Sequence, residues 1–156
     1  MIPLTGHAAV TAKDIQVAAR ILSFSDNPPT GNVKMGIVYD PAIAASVADE
    51  QALLGVLGSG LAVGNITLVP VPVTIGSIGS TTADVLFLTG GLGPEGAKAR
   101  TQAKILCMTT DLSATQAGYC AINIQTAPTV QITVNKAAAS TAGNFASAFL
   151  MMVTEI

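Results

Sequence analysis

The sharpest chemistry-bearing pattern in the chain is Gly91-Leu92-Gly93-Pro94-Glu95-Gly96, a GxGxxG run after an apolar stretch and before residues able to form helical turns. In a dinucleotide site such glycines let the backbone approach a pyrophosphate, and a later acid holds the ribose hydroxyls. Asp111, twenty residues after Gly91, stands where that acid would be expected. The crossover argues against this chemistry. Only Ala97 to Lys104 separate Gly96 from the next apolar stretch, about two helical turns at ~3.6 residues each, whereas a dinucleotide βαβ unit takes ~30 residues. A phosphate loop fails too, because Ala97-Lys98-Ala99 follows Gly96 in place of Lys and Ser or Thr. Glycines serving a strand-to-helix turn are the plainer account.

The single histidine, His7, lies in an N-terminal stretch without periodicity. A Ser-His-Asp or Cys-His site needs a base held against its nucleophile by a third group, so His7 is a poor base. Two Cys and one His cannot close a tetrahedral zinc site, and the acids are dispersed. The five Met read as core fillers rather than copper ligands. No catalytic constellation, cofactor or metal site is expected.

Cys107 and Cys120 lie thirteen residues apart. On neighbouring strands their Cα atoms could fall within the ~4.4–6.8 Å of a disulfide, and closing such a loop is worth about 3 kcal/mol on the chain-entropy account. Two buried free thiols are the alternative. The even count and the spacing favour a bridge, and a bridge favours an oxidising compartment.

Composition narrows the partners. Half of the 156 residues are apolar, one tenth are charged, and the net charge is −2. So little charge leaves apolar surface uncovered, which points to a homo-oligomer or a docked partner. Nucleic acid is excluded as a partner, because seven scattered Lys and Arg give no basic footprint. Direct membrane insertion is not expected either. The longest uncharged run, Gln51 to Ala83, is broken by repeated Gly and Pro, and a spanning helix needs ~20 uninterrupted residues. Met1 to His7 has neither the basic start nor the apolar stretch of a signal peptide. That leaves a cytosolic protein or the mature form of an exported one.

The elements that must position these residues alternate between two periods. An irregular arm over 1–10 precedes a single α/β domain over 11–156. Thr11 and Asp14 form a capping-box pattern, and Ile15, Ala18, Ala19 and Leu22 recur at helical spacing, predicting a helix over 12–24. Asp26 to Gly31 should stop it. Strands are expected at 33–39, 66–73, 84–88 and 105–109, with helices at 42–57 and 95–102. Val47, Leu54 and Leu57 mark the buried side of the first of these helices. Pro70 and Pro72 push the second strand to an edge or make it irregular. Segments 119–126 and 130–134 form a hairpin around Ala127-Pro128-Thr129. From Lys136 onward a terminal helix should bury Phe145, Ala148, Phe149 and Met152. The expectation is a three-layer flavodoxin- or Rossmann-like domain, its sheet mostly parallel.

Open α/β sheets bind ligands beyond the carboxyl ends of their strands. That rim would carry Asp40, Pro41, Gly90, Gly91, Gly93, Thr109 and Asp111. Asp40 and Asp111 are more simply read as turn and cap residues, as Asp commonly is after a strand.

The order of Ala-Asp-Val-Leu-Phe-Leu (83–88), Lys-Ile-Leu-Cys-Met-Thr-Thr-Asp (104–111), an Ala-Gly turn (117–118) and Val-Gln-Ile-Thr-Val-Asn-Lys-Ala-Ala-Ala (130–139) resembles the YfiR-like family of small bacterial periplasmic proteins. The first helix and Ile-Val-Tyr-Asp-Pro (37–41) fit the same order, so the likeness spans most of the chain. The resemblance implies an exported regulator that docks on the periplasmic sensor region of an inner-membrane diguanylate cyclase. It further implies that Cys107 and Cys120 form a structural or redox-sensitive bridge. This chain departs in having one Cys pair, fewer than the best-known members. Three function classes follow: a periplasmic binding regulator, which leads; a small-ligand module associated with transport; and a nucleotide-binding enzyme using Gly91 to Gly96.

Overall fold

The computed structural model describes residues 10–25, 27–102, 104–142 and 145–156. His7 and the expected arm lie outside the described residues, save Val10, which is buried. Helix α1 (Ala12–Leu22) begins where the capping box places it. Thr11 Oγ1 accepts from the Asp14 amide at 3.4 Å, and Asp14 Oδ2 accepts from the Thr11 amide at 2.9 Å. Ile15, Ala18, Ala19, Ile21 and Leu22 then form its buried face. Asp14 also accepts from the Thr126 hydroxyl at 2.7 Å, which fastens the start of α1 to a distant hairpin loop.

The remaining chain supplies β1 (Gly31–Tyr39), α2 (Ala44–Leu57), β2 (Leu61–Val63) and β3 (Ile66–Thr74). A 3-10 turn (Ile75–Ser80) leads to β4 (Val85–Leu88), and a longer one (Gly93–Gln102) to β5 (Leu106–Thr109). There follow α3 (Leu112–Gln116), β6 (Ile122–Gln125), β7 (Gln131–Val134), α4 (Lys136–Ser140), α5 (Ser147–Leu150) and β8 (Thr154–Glu155). All strands join one eight-stranded mixed sheet in the order β2-β3-β1-β4-β5-β6-β7-β8. Pairing is parallel except between β2 and β3 and between β6 and β7. The fold is α/β, with the expected antiparallel hairpin at 122–134.

The prolines of β3 find a physical place. β2 covers only Ile66 to Leu68 of β3, so Pro70 and Pro72 lie beyond its end. Alternate residues of a strand turn their backbone groups to opposite neighbours. Pro70 and Pro72 share the parity of Ile66 and Leu68, so their donor-less nitrogens face the open side while the strand keeps its pairing to β1.

Two buried clusters occupy the sheet. One gathers Ile15, Leu22, Leu53, Leu57, Phe87, Met108 and Phe149 from α1, α2, α5 and the strands. The other gathers Ile75, Ile78, Leu86, Leu88, Leu92, Ala99 and Ala114. Residues of β4 alternate between them, so its four side chains are all buried.

Two expectations fail. The terminal helix is broken into α4 and α5 and ends in β8, leaving Ala148 and Met152 exposed; of the four expected core residues Phe149 is buried and Phe145 half-buried. A continuous helix would forgo what the chain gains here. Ser25 and Phe145 form a bridge, the Ala146 amide donates to the Phe24 carbonyl at 2.8 Å, and the Phe149 ring stacks on Phe24 at 5.2 Å. In α2 the buried face is Ser46, Asp49, Glu50, Leu53 and Leu57, while Val47 and Leu54 are half-buried. Its first turns rest on strand ends whose backbone groups need polar partners, which turns the helix away from the apolar stripe. Four elements were not anticipated: β2, the 3-10 turn at 75–80, α3 and β8.

Candidate functional site

The carboxyl ends of β1, β4 and β5 meet the first turns of α2 and α3, and there the residues expected at a ligand rim come together. Asp40 caps its own turn, accepting from the Ala42 amide at 2.9 Å, and its amide donates to Ser46 Oγ at 2.9 Å. Ser46 Oγ lies 2.6 Å from Thr89 Oγ1, which donates to the Val38 carbonyl at 2.8 Å. Thr109 donates to the Leu88 carbonyl at 2.8 Å and accepts from the Asp111 amide at 3.0 Å. Asp111 caps α3, accepting from the Ser113 amide at 3.2 Å and the Ser113 hydroxyl at 2.6 Å. Ser46, Thr89 and Thr109 are almost wholly buried. Pro41 is exposed beside them and takes no part in this network.

The glycine loop is held by the protein's own carboxylates. The Gly90 amide donates to Asp49 Oδ2 at 2.8 Å, and the Gly91 amide donates to Asp111 Oδ2 at 3.3 Å. These are the donors a bound phosphate would use, and an incoming anion would meet two acids there. Packing accounts for the glycines themselves. Gly91 has φ +79, and a Cβ on it would stand 3.0 Å from the Ala45 Cβ. Gly93 also has positive φ, and a Cβ on Gly96 would press the Tyr119 ring at 3.1 Å. The rim is a brace that joins strand ends to helix starts.

No protein-family model matches the chain, and no curated protein matches it. Function must therefore be argued from the geometry.

Cys107 in β5 and Cys120 just before β6 lie at disulfide distance, their sulfurs 2.08 Å and their Cα atoms 4.9 Å apart. Both are buried, and no described cysteine is free. Among the described residues no three His, Cys, Asp or Glu side chains gather as a metal-ligand set. No helix of the described residues is long and apolar enough to cross a membrane.

Among the described residues, two cavities open at the amino ends of strands. A small one of about 60 Å³ is lined by Arg100, Ile105, Cys107, Tyr119 and α4 residues. A larger one of about 380 Å³ lies between the end of α1, the 28–30 segment and the β2–β3 turn.

The other distinctive surface is the β7–β8 edge. β8 is two residues long and pairs with Thr133 and Val134, so among the described residues no strand lies beside Gln131 and Ile132 on that side. Val130 just before β7 is 47% exposed, and Met151 and Met152 just before β8 are 86% and 69% exposed. The parallel register places these three at one end of the edge, with half-exposed Ile156 at the other. Lys136 reaches Glu155 at 3.5 Å across exposed surface, a contact worth little by itself.

Sequence reasoning found the rim, its Thr89 loop included, but missed two of its members, Ser46 and Asp49 of α2. The available signal was Ser46-x-x-Asp49-Glu50, polar residues at helical spacing in an otherwise apolar segment. The β7–β8 edge was hidden because the terminal residues carry helix-forming types.

Proposed function

We propose that this chain is a non-enzymatic, exported binding protein of the YfiR-like kind, which docks through its β7–β8 edge on the periplasmic sensor region of an inner-membrane signalling protein of the diguanylate-cyclase type. The observation that carries the reading is the edge itself. An unpaired strand edge bordered by exposed Val130, Met151, Met152 and Ile156 is a template for a partner strand. Exposed Met side chains are adaptable contacts suited to such a surface.

Three further features support the reading. Cys107 and Cys120 are poised for a bridge that an oxidising compartment would retain. Most of the rim's polar groups are engaged internally, the buried Thr110 hydroxyl excepted, which favours surface association over a ligand at the rim. The five parallel strands β1, β3, β4, β5 and β6 run in the order 2-1-3-4-5 when renumbered, the order of flavodoxin-like sheets, and the buried clusters accord with three layers.

The test is co-purification of the full chain with the periplasmic domain of a membrane diguanylate cyclase from the same host. A complex formed by the parent protein and lost in Met151→Ser/Met152→Ser supports the reading. A homodimer through the same edge, with no affinity for the sensor domain, replaces it with self-association. Native protein recovered from cytoplasm with two free thiols overturns it.

A further inference from the structure

The 380 Å³ cavity falls within the ~300–1,000 Å³ range of small-molecule pockets. It sits at the amino ends of β1 and β3, away from both the rim and the β7–β8 edge. Leu22, Pro28, Pro29, Val63 and Ile66 give it an aliphatic wall, and no aromatic side chain lines it. Its lining segments are restrained: the Gly31 amide, next to Thr30, donates to the Asn65 carbonyl at 3.0 Å, and Pro28 and Pro29 restrict the backbone on that side. Among the described residues Arg20 is the one charged residue in the lining, and it enters neither ion pair found among them.

We propose that this cavity binds a small aliphatic monocarboxylate, the tail against Leu22, Val63 and Ile66 and the carboxylate on the Arg20 guanidinium. The planar guanidinium fork matches a carboxylate with two parallel hydrogen bonds. The missing rings exclude a ligand held by stacking, such as a nucleobase. The carbonyls closing α1 disfavour any anion, so Arg20 must offset them as well, and a doubly charged phosphate monoester is a poorer fit than a singly charged carboxylate. The site is independent of the docking reading and survives its failure.

The experiment titrates octanoate into the full, isotope-labelled chain and follows backbone amide shifts. Saturable shifts confined to Arg20, Ser23, Val63, Gly64 and Asn65 are expected. Octan-1-ol and octyl phosphate should bind about tenfold more weakly or worse, because each lacks the matched charge. Arg20→Gln should lose octanoate binding to the same degree. Arg20 also complements the end of α1, so the melting temperature of the free variant is read separately. Asn65→Asp, which sets a like charge at the mouth, should weaken octanoate while leaving octan-1-ol unchanged. Absence of saturable shifts at millimolar octanoate overturns the proposal. So does equal binding of the alcohol, undiminished binding by Arg20→Gln, or shifts that gather at Val130 to Ile156 instead.

Discussion

Two parts of this sheet treat their exposed backbone in opposite ways. At the carboxyl ends of β1, β4 and β5, strand-end carbonyls and loop amides find partners in Ser46, Asp49, Thr89, Thr109 and Asp111. At the β7–β8 edge, backbone and apolar side chains are left uncovered. Position in the sheet explains the contrast. Strand ends between packed helices are shut off from water, and a buried donor without an acceptor costs about 1–3 kcal/mol. An edge in contact with water has no such penalty, and its remaining cost is the risk of unwanted pairing. The strand-end rim is thus largely occupied by the protein's own groups, while the exposed apolar side chains lie at the periphery of the sheet.

The largest test of this contrast is the anchor beneath the edge. Phe149 is almost fully buried against Phe24 and Phe145, and Phe149→Ala should cost about 3–5 kcal/mol. Urea unfolding followed by circular dichroism measures it. A cost below about 1 kcal/mol would mean that the C-terminal segment is not docked, and the edge would lose its definition.

Next comes the Cys pair, which ties β5 to the segment entering β6. Cys107→Ala/Cys120→Ala, or reduction of the parent chain, should lower stability by about 3 kcal/mol for a loop of this length. Peptide mapping under non-reducing conditions shows whether the bridge is present to be lost. If reduction leaves the urea midpoint unchanged, the pair is two packed thiols and the case for export weakens.

A third effect belongs to the rim. Asp49→Ala removes the acceptor of the buried Gly90 amide and should destabilise by about 1–3 kcal/mol. Amide exchange at Gly90 should quicken beyond what the global change in stability accounts for. Unchanged exchange would make the rim a dispensable decoration instead of a brace.

The smallest stability effect is expected at the edge. Met151→Ser/Met152→Ser should shift unfolding by no more than about 0.5 kcal/mol, as exposed positions do. The same variant should lose partner binding, so calorimetry and co-purification must move independently. A large stability loss would show that the methionines are packed and would dissolve the contrast.

Much of the central fold was legible from local signals. The α1 start could be read from Thr11 and Asp14, and the apolar runs at 33–39, 84–88 and 105–109 marked strands, the second of them buried on both faces. The hairpin around Pro128 was legible because alternation on its second strand and a Pro between two runs leave few alternatives. The short elements were not. Leu61–Val63 and Thr154–Glu155 carry too few residues for a period to show, and Leu112–Gln116 is a single turn capped by an Asp that sequence reads equally as a turn.

The sequence by itself determined the α/β class, the scattering of its few charges, the pairing-competent cysteines and the placement of Asp40, Gly90, Gly91, Thr109 and Asp111 at the strand ends. Those features depend on composition, short-range spacing and the rule that strand ends share a rim. Tertiary structure decided what the rim does, because only packing brings Asp49 of α2 onto Gly90 and Asp111 onto Gly91. It also decided that the last residues form an edge strand, since Phe24, far earlier in the chain, supplies the contacts that break the helix. Both outcomes rest on partners forty or more residues distant or on a loop folded back against a later cap, and no local period encodes such pairings.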